Sequence, residues 1–166
     1  KAGLYAACFA EPMGGNAGDL TWRYDAPALP LSEGLRRFLT GYVEPLKQGD
    51  IVRQCMRLHL REMLEPTGQW ATEVERDVKK PHAVLTQMLA RHLGVKVDDD
   101  IHRLAFAITG LALQLFLTHD LIDAIRPSLL RGSTRIDQWA ERLVGYAYAL
   151  VEAEAMRRET LAGGTP

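Results

Sequence analysis

Several side chains in this sequence have the types and spacing for chemistry. The largest group is soft or amphipathic residues set on otherwise apolar helical stripes: Met56, His59, Met63, Trp70, His82, Met88, Thr109 and Gln114. Methionine is unbranched and polarisable and fills irregular cavities. Histidine, tryptophan and threonine supply the few polar anchors that a mostly apolar ligand pocket needs. With Phe106 and Leu113 as apolar wall, the expected ligand-binding set is Met56, His59, Met63, Trp70, His82, Met88, Phe106, Thr109 and Leu113. The competing reading is plain core packing, because a methionine on a helical stripe is usually core.

Metal and catalytic patterns are incomplete. His59 and Glu62 stand at i, i+3, as in di-metal bundles, but the second half of that motif is missing. His119, Asp120 and Asp123 share one helical face, where dipole and solvation roles account for the acids more cheaply. Cys55 and His59 are one helical turn apart, yet a thiol on a buried stripe is inert packing. No nucleophile elbow, phosphate-binding loop or dinucleotide fingerprint occurs. The expectation is a protein that is not an enzyme and carries no metal or cofactor. Arg53, Arg57 and Arg61, spaced by four, read as a solvated helix face.

Composition narrows the function classes further. The 166 residues are 47% hydrophobic and 25% charged, an ordinary mixture for one globular domain. A net charge of −1 gives no bulk drive toward nucleic acid or anionic lipid. Cys8 and Cys55 are too far apart for a metal or redox motif and suit reduced thiols. The longest apolar stretch, Leu104 to Leu117, is shorter than the ~20 residues of a membrane span. No signal peptide is visible, and no membrane partner is expected.

The elements that must position these residues are helices; strand patterns are nearly absent. A short helix is expected over about 2–10, followed by a glycine-rich loop that Trp22 and Tyr24 pin to the body. A second helix starts near Ser32 as N-cap and is kinked or ended by Pro45. A third runs from Asp50 to about Leu64. Thr72 with Glu75 opens a fourth, kinked at Pro81 and stopped by Gly94. Asp98, Asp99 and Asp100 mark the N-terminus of a fifth, about Asp99 to Leu117, apolar almost all round and therefore expected to be the most buried. A shorter piece from His119 is broken by Pro127, and a last helix runs from Ser133 or Thr134 to about Leu161.

The last helix carries two apolar stripes, one through Trp139, Leu143, Tyr146 and Leu150 and one through Ala140, Val144, Ala147 and Val151. Gly145 and Ala149, four apart, permit close backbone approach. That is more apolar face than one core contact needs, so a homodimer seam is expected at Leu111, Leu115, Trp139, Leu143, Tyr146, Ala147 and Leu150. Two long helices from each copy would form a four-helix bundle.

The opening Lys1, Leu4 and Tyr5 match the Lys-x-x-Leu-Tyr helix that joins head to body in TetR-family regulators. The Pro81 helix, the apolar Ala105–Phe116 helix, the Arg126-Pro127 break and the long final helix follow the layout of TetR C-terminal domains, and the chain resembles the CecR-like (CerR-type) subgroup. The resemblance implies an all-α bundle of TetR C-terminal type, with the last two long helices forming a dimeric four-helix bundle. Residues 1–12 would be the connecting helix at the end of a missing helix-turn-helix head, and residues 13–166 the effector-binding and dimerisation domain. It implies a cytoplasmic, homodimeric, ligand-responsive repressor that senses a small, mostly apolar effector and binds operator DNA through a head outside this chain. Lys1 would approach a DNA phosphate. The rival readings are a helical protein-interaction module with no DNA role and a helical-bundle metal enzyme.

Overall fold

The computed structural model describes residues 29–49 and 78–163, together with 54, 55, 57, 58, 61, 64, 65 and 75. All regular structure among the described residues is helical. Helix α1 spans Leu31–Val43 and runs into a 3-10 turn at Glu44–Gln48. Helix α2 spans Lys79–Leu93, α3 Asp99–Leu117 and α4 His119–Ile125. A 3-10 turn at Pro127–Leu129 leads to the long helix α5, Ser133–Gly163. Gln54, Cys55, Arg57, Leu58, Arg61 and Leu64 are also helical, in the region expected for the third helix.

The breakers act mostly where expected, with one difference. Pro45 ends α1 and starts the 3-10 turn. Gly94 caps α2 in the left-handed region, φ 66°, a conformation that costs glycine little. Ser32, however, is not the cap of α1. The extended Pro30 precedes the helix, and its carbonyl accepts hydrogen bonds from the N–H groups of Glu33 and Gly34, both 3.1 Å. Pro81 falls in the first turn of regular α-helix, which begins at Lys79. Upstream, Glu75 and Val78 adopt π geometry, the wider ladder that marks interrupted helices.

The core is a junction of α1, α2, α3 and α5. Leu35, Leu39 and Val43 of α1 face Leu85 and Leu89 of α2, Ile101, Ile108 and Leu115 of α3, and Leu143 and Val151 of α5, all with almost no exposure. Helix α1 lies chiefly along α5, and α3 touches α1, α2, α4 and α5. Gly34 sets the approach of α1 to α2, because a Cβ there would collide with the Met88 sulfur. Helix α3 departs from the expectation of full burial. Ile101, Ala105, Ile108, Ala112 and Leu115 form its fully buried face, while Phe106 is 62% and Leu117 54% exposed. Among the described residues, neighbours within the protomer cover chiefly one side of it.

A charged clamp fixes the start of α3 to the far end of α5. The Asp98 carboxylate accepts from the Ile101 N–H at 2.9 Å and caps α3. It also takes a two-pronged contact from Arg158, 2.9 Å at each oxygen. Arg157 reaches Asp100 at 2.6 Å, and Arg157 and Arg158 both hold Glu154. The Arg158 contact, followed by the Ile101 N–H, keeps Asp98 well below the usual carboxylate range. Arg103 and Arg157 lower Asp100; Arg157 and Arg158 lower Glu154.

Two outcomes follow. Gly34→Val should destabilise the protein by about 1–3 kcal/mol through overpacking against Met88, read as a shifted urea midpoint. An unchanged midpoint would mean that α1 and α2 do not approach so closely. The clamp carboxylates ionise more readily folded than unfolded, so their stabilisation is complete above the ordinary carboxylate value of ~4 and is lost as pH falls through their depressed folded values. The thermal midpoint of the native chain should therefore drop more steeply below pH ~4 than that of Asp98→Asn/Glu154→Gln. Parallel curves would show that the clamp contributes nothing. Asp98, Asp100 and Arg157 of the clamp are solvent-exposed while Glu154 and Arg158 are half-buried, so screening keeps the difference modest.

Candidate functional site

Among the expected ligand residues, His82 and Phe106 come together on the α2–α3 face. His82 stands in the first turn of α2, and Phe106 is on α3 with ring centroids 4.4 Å apart. His102, one turn before Phe106, completes the group: its Nδ1 lies 2.8 Å from His82 Nε2 and the two rings stack. At that distance one nitrogen donates and the other accepts, so the hydrogen bond requires at least one neutral ring. Partial burial of His82, and then the charge of His102, push the His82 pKa below its ordinary value. Sequence reasoning missed His102. The signal was its place one turn before Phe106, on the stripe that continues to Thr109 and Leu113.

The other members are distributed differently. Thr109 is half-buried, and its hydroxyl donates to the Ala105 carbonyl of its own helix at 2.9 Å. Leu113 is half-buried and packs at the edge of the core. Met88 is buried against Gly34 and belongs to the α1–α2 core rather than to the His82–Phe106 group. Its position on the inner stripe of α2 decides this. Met56, His59, Met63 and Trp70 lie outside the described residues, as does Lys1. Cys55 is buried and forms no disulfide among the described residues. Arg57 pairs with Asp120 at the start of α4 and stays exposed.

The expected seam residues divide in two. Leu115, Leu143 and Ala147 are fully buried inside the protomer, so its own core uses them and they cannot face a partner. The inner face of α5 that packs on α1 claims Leu143 and Ala147. Tyr146 is 56% exposed, and Leu111, Trp139 and Leu150 are half-buried at the core margin. On the outer side of α5, Gly145, Ala149, Ala153 and Met156 are exposed around Tyr146.

A cavity of about 500 Å³ opens between the end of α1, α4 and the start of α5, and His82, Met88, Phe106, Thr109 and Leu113 are not among the described residues that line it. Its apolar wall includes Leu46, Leu130 and Ile136; its polar wall includes Lys47, His119, Asp123 and Arg131. Lys47 is held by Asp137 at 2.6 Å and Glu44 at 2.7 Å, and these contacts raise its pKa. His119 Nδ1 is 3.7 Å from the Asp123 carboxylate. The sequence hid this site because its wall comes from three separate turns that only the bundle brings together.

The family described as "HTH-type transcriptional dual regulator CecR, C-terminal domain" matches residues 31–153, most of the chain. The chain belongs to this family. The match begins with α1 and ends within α5, so the described core is the family's own body. It is a domain of TetR-type transcriptional regulators. No curated protein and no solved structure matches the chain.

The histidine pair generates a pH outcome in a window separate from the clamp. A histidine whose pKa is lowered by folding resists protonation in the native state, so stability is full above its unfolded value of ~6.5 and declines as pH falls below it. His82→Gln should flatten the stability curve between pH ~6.5 and 5 relative to the native chain, measured by urea titration at each pH. Identical slopes would show that His82 is not the strained partner.

Proposed function

We propose that this CecR-type domain is the effector-sensing and dimerisation body of a TetR-type repressor acting in the cytoplasm. The observation that carries the reading is the outward apolar surface of the two long helices, within a chain whose family is a regulator domain. Leu117 at the end of α3, and Gly145, Tyr146, Ala149 and Met156 of α5, are exposed, and Leu111 of α3 is half-buried beside the core. Small residues four apart on α5 let a second helix approach closely. The seam of the homodimer is then drawn on Tyr146 and its small neighbours, with Leu111, Trp139 and Leu150 at its edge. Helices α3 and α5 from both copies would make the four-helix bundle.

In this reading a small, mostly apolar effector lies on the α2–α3 face, against Phe106, Thr109 and Leu113, with His82 as its polar anchor. Met56, His59, Met63 and Trp70 would close the pocket from the intervening segment. An effector that prefers one arrangement of α2 against α3 shifts the balance of body conformations. A connecting helix at residues 1–12 would carry that shift to a helix-turn-helix head outside this chain. DNA half-sites need a fixed separation, so a small change in head spacing weakens binding. Lys1 would lie near a DNA phosphate.

Two measurements test this. Tyr146→Glu should convert dimers to folded monomers by light scattering with helix content retained; a monomeric native chain would remove the seam. Genomic fragments captured by the full-length product define its operator. A ligand of the body should then change operator affinity by about 5- to 150-fold, the usual range of allosteric coupling. A ligand that binds the body tightly and leaves operator affinity unchanged would contradict a sensing role.

A further inference from the structure

We infer that the cavity between α1, α4 and α5 is a second ligand site, one that takes an amphipathic small molecule with a single carboxylate. Its volume of about 500 Å³ falls within the range of small-molecule pockets. One wall, with Leu130 and Ile136, is apolar, and both residues are buried. The opposite wall is charged, and the state of each charge decides which head group fits. Lys47 is already held by two carboxylates, Glu44 and Asp137, so its charge is matched within the protein. Asp123 faces His119 at 3.7 Å. Arg131 also lines the cavity, is exposed to it, and makes no hydrogen bond or ion pair among the described residues.

The charged group on the wall with no hydrogen bond or ion pair among the described residues is therefore the Arg131 guanidinium. Its planar donors match a carboxylate at two points and cannot be deprotonated near neutral pH. Arg131 also stands just before Ser133, where the 31-residue α5 starts, so the positive end of the α5 dipole adds to the same sign. A cationic head would be repelled by Arg131, and a neutral one would leave it unpaired. An alkyl or aryl body would replace water against Leu130 and Ile136. Among the described residues, none of those expected to hold the effector on the α2–α3 face lines this cavity, and the proposal does not rest on the regulatory reading.

The test uses octanoate, octan-1-ol and octylammonium as matched probes, with calorimetry on the purified chain. Octanoate should bind about tenfold or more tightly than octan-1-ol, the ratio expected for a charge-assisted contact. Octylammonium should bind more weakly than either. Arg131→Ala should erase the preference for octanoate, Arg131→Lys should keep part of it, and Arg91→Ala should leave it unchanged. Amide resonances of His119 and Ile136 should shift with octanoate. Equal binding of acid and alcohol, no binding of either, a preference that survives Arg131→Ala, or shifts confined to the α2–α3 face would each overturn the assignment. Failure here leaves the regulator reading intact. A lack of operator response leaves this site intact.

Discussion

Helix α3 has apolar residues on more sides than its described neighbours cover, and the rest of the described bundle is arranged around that constraint. Its inner face, Ile101 through Leu115, is the common surface on which α1, α2 and α5 meet. Its composition is apolar enough, over enough residues, to satisfy the length and hydropathy criteria for a membrane crossing. Three aspartates at its start and the buried inner face explain why it serves as a core helix here. The remaining side, with Phe106 and Leu117, is what the protomer leaves open. Large exposed apolar residues on a rigid helix carry a solvation cost unless another surface covers them.

Helix α5 shares this division. With 31 residues it extends about 46 Å, well beyond the 19-residue α3. Its inner face packs on α1 through Leu143 and Ala147, and its far end is tied to the start of α3 by Arg157 and Arg158. The clamp ties the first turn of α3 to the far end of α5, so in the proposed reading a displacement of α3 would reach α5 through these pairs.

Much of the fold was legible because its signals are local. Asp98 capping α3, Pro45 ending α1, Gly94 capping α2 and Gly132 preceding α5 are decided by one or two residues each. One error was local: the helix starts from Pro30, whose carbonyl accepts the first N–H groups, and not from Ser32. The others came where a tertiary neighbour made the choice. Leu115, Leu143 and Ala147 looked like seam residues because periodicity marks an apolar stripe without saying which helix will cover it. Met88 looked like pocket lining until Gly34 of α1 claimed it. The cavity at Arg131 was illegible for the opposite reason: its wall joins the end of α1, α4 and the start of α5, and no spacing in the sequence brings them together.

The central claim is that the open side of α5, around Tyr146, meets a second copy of the same chain. Photo-cross-linking from position 146 tests it most directly. A benzoyl-phenylalanine in place of Tyr146 keeps an aromatic side chain on the outer face of α5, and the same group at Ala83, exposed on α2, serves as control. Irradiation should give a covalent dimer from position 146 and none from position 83. Monomer alone from position 146, at concentrations where the native chain is purified, would contradict the account.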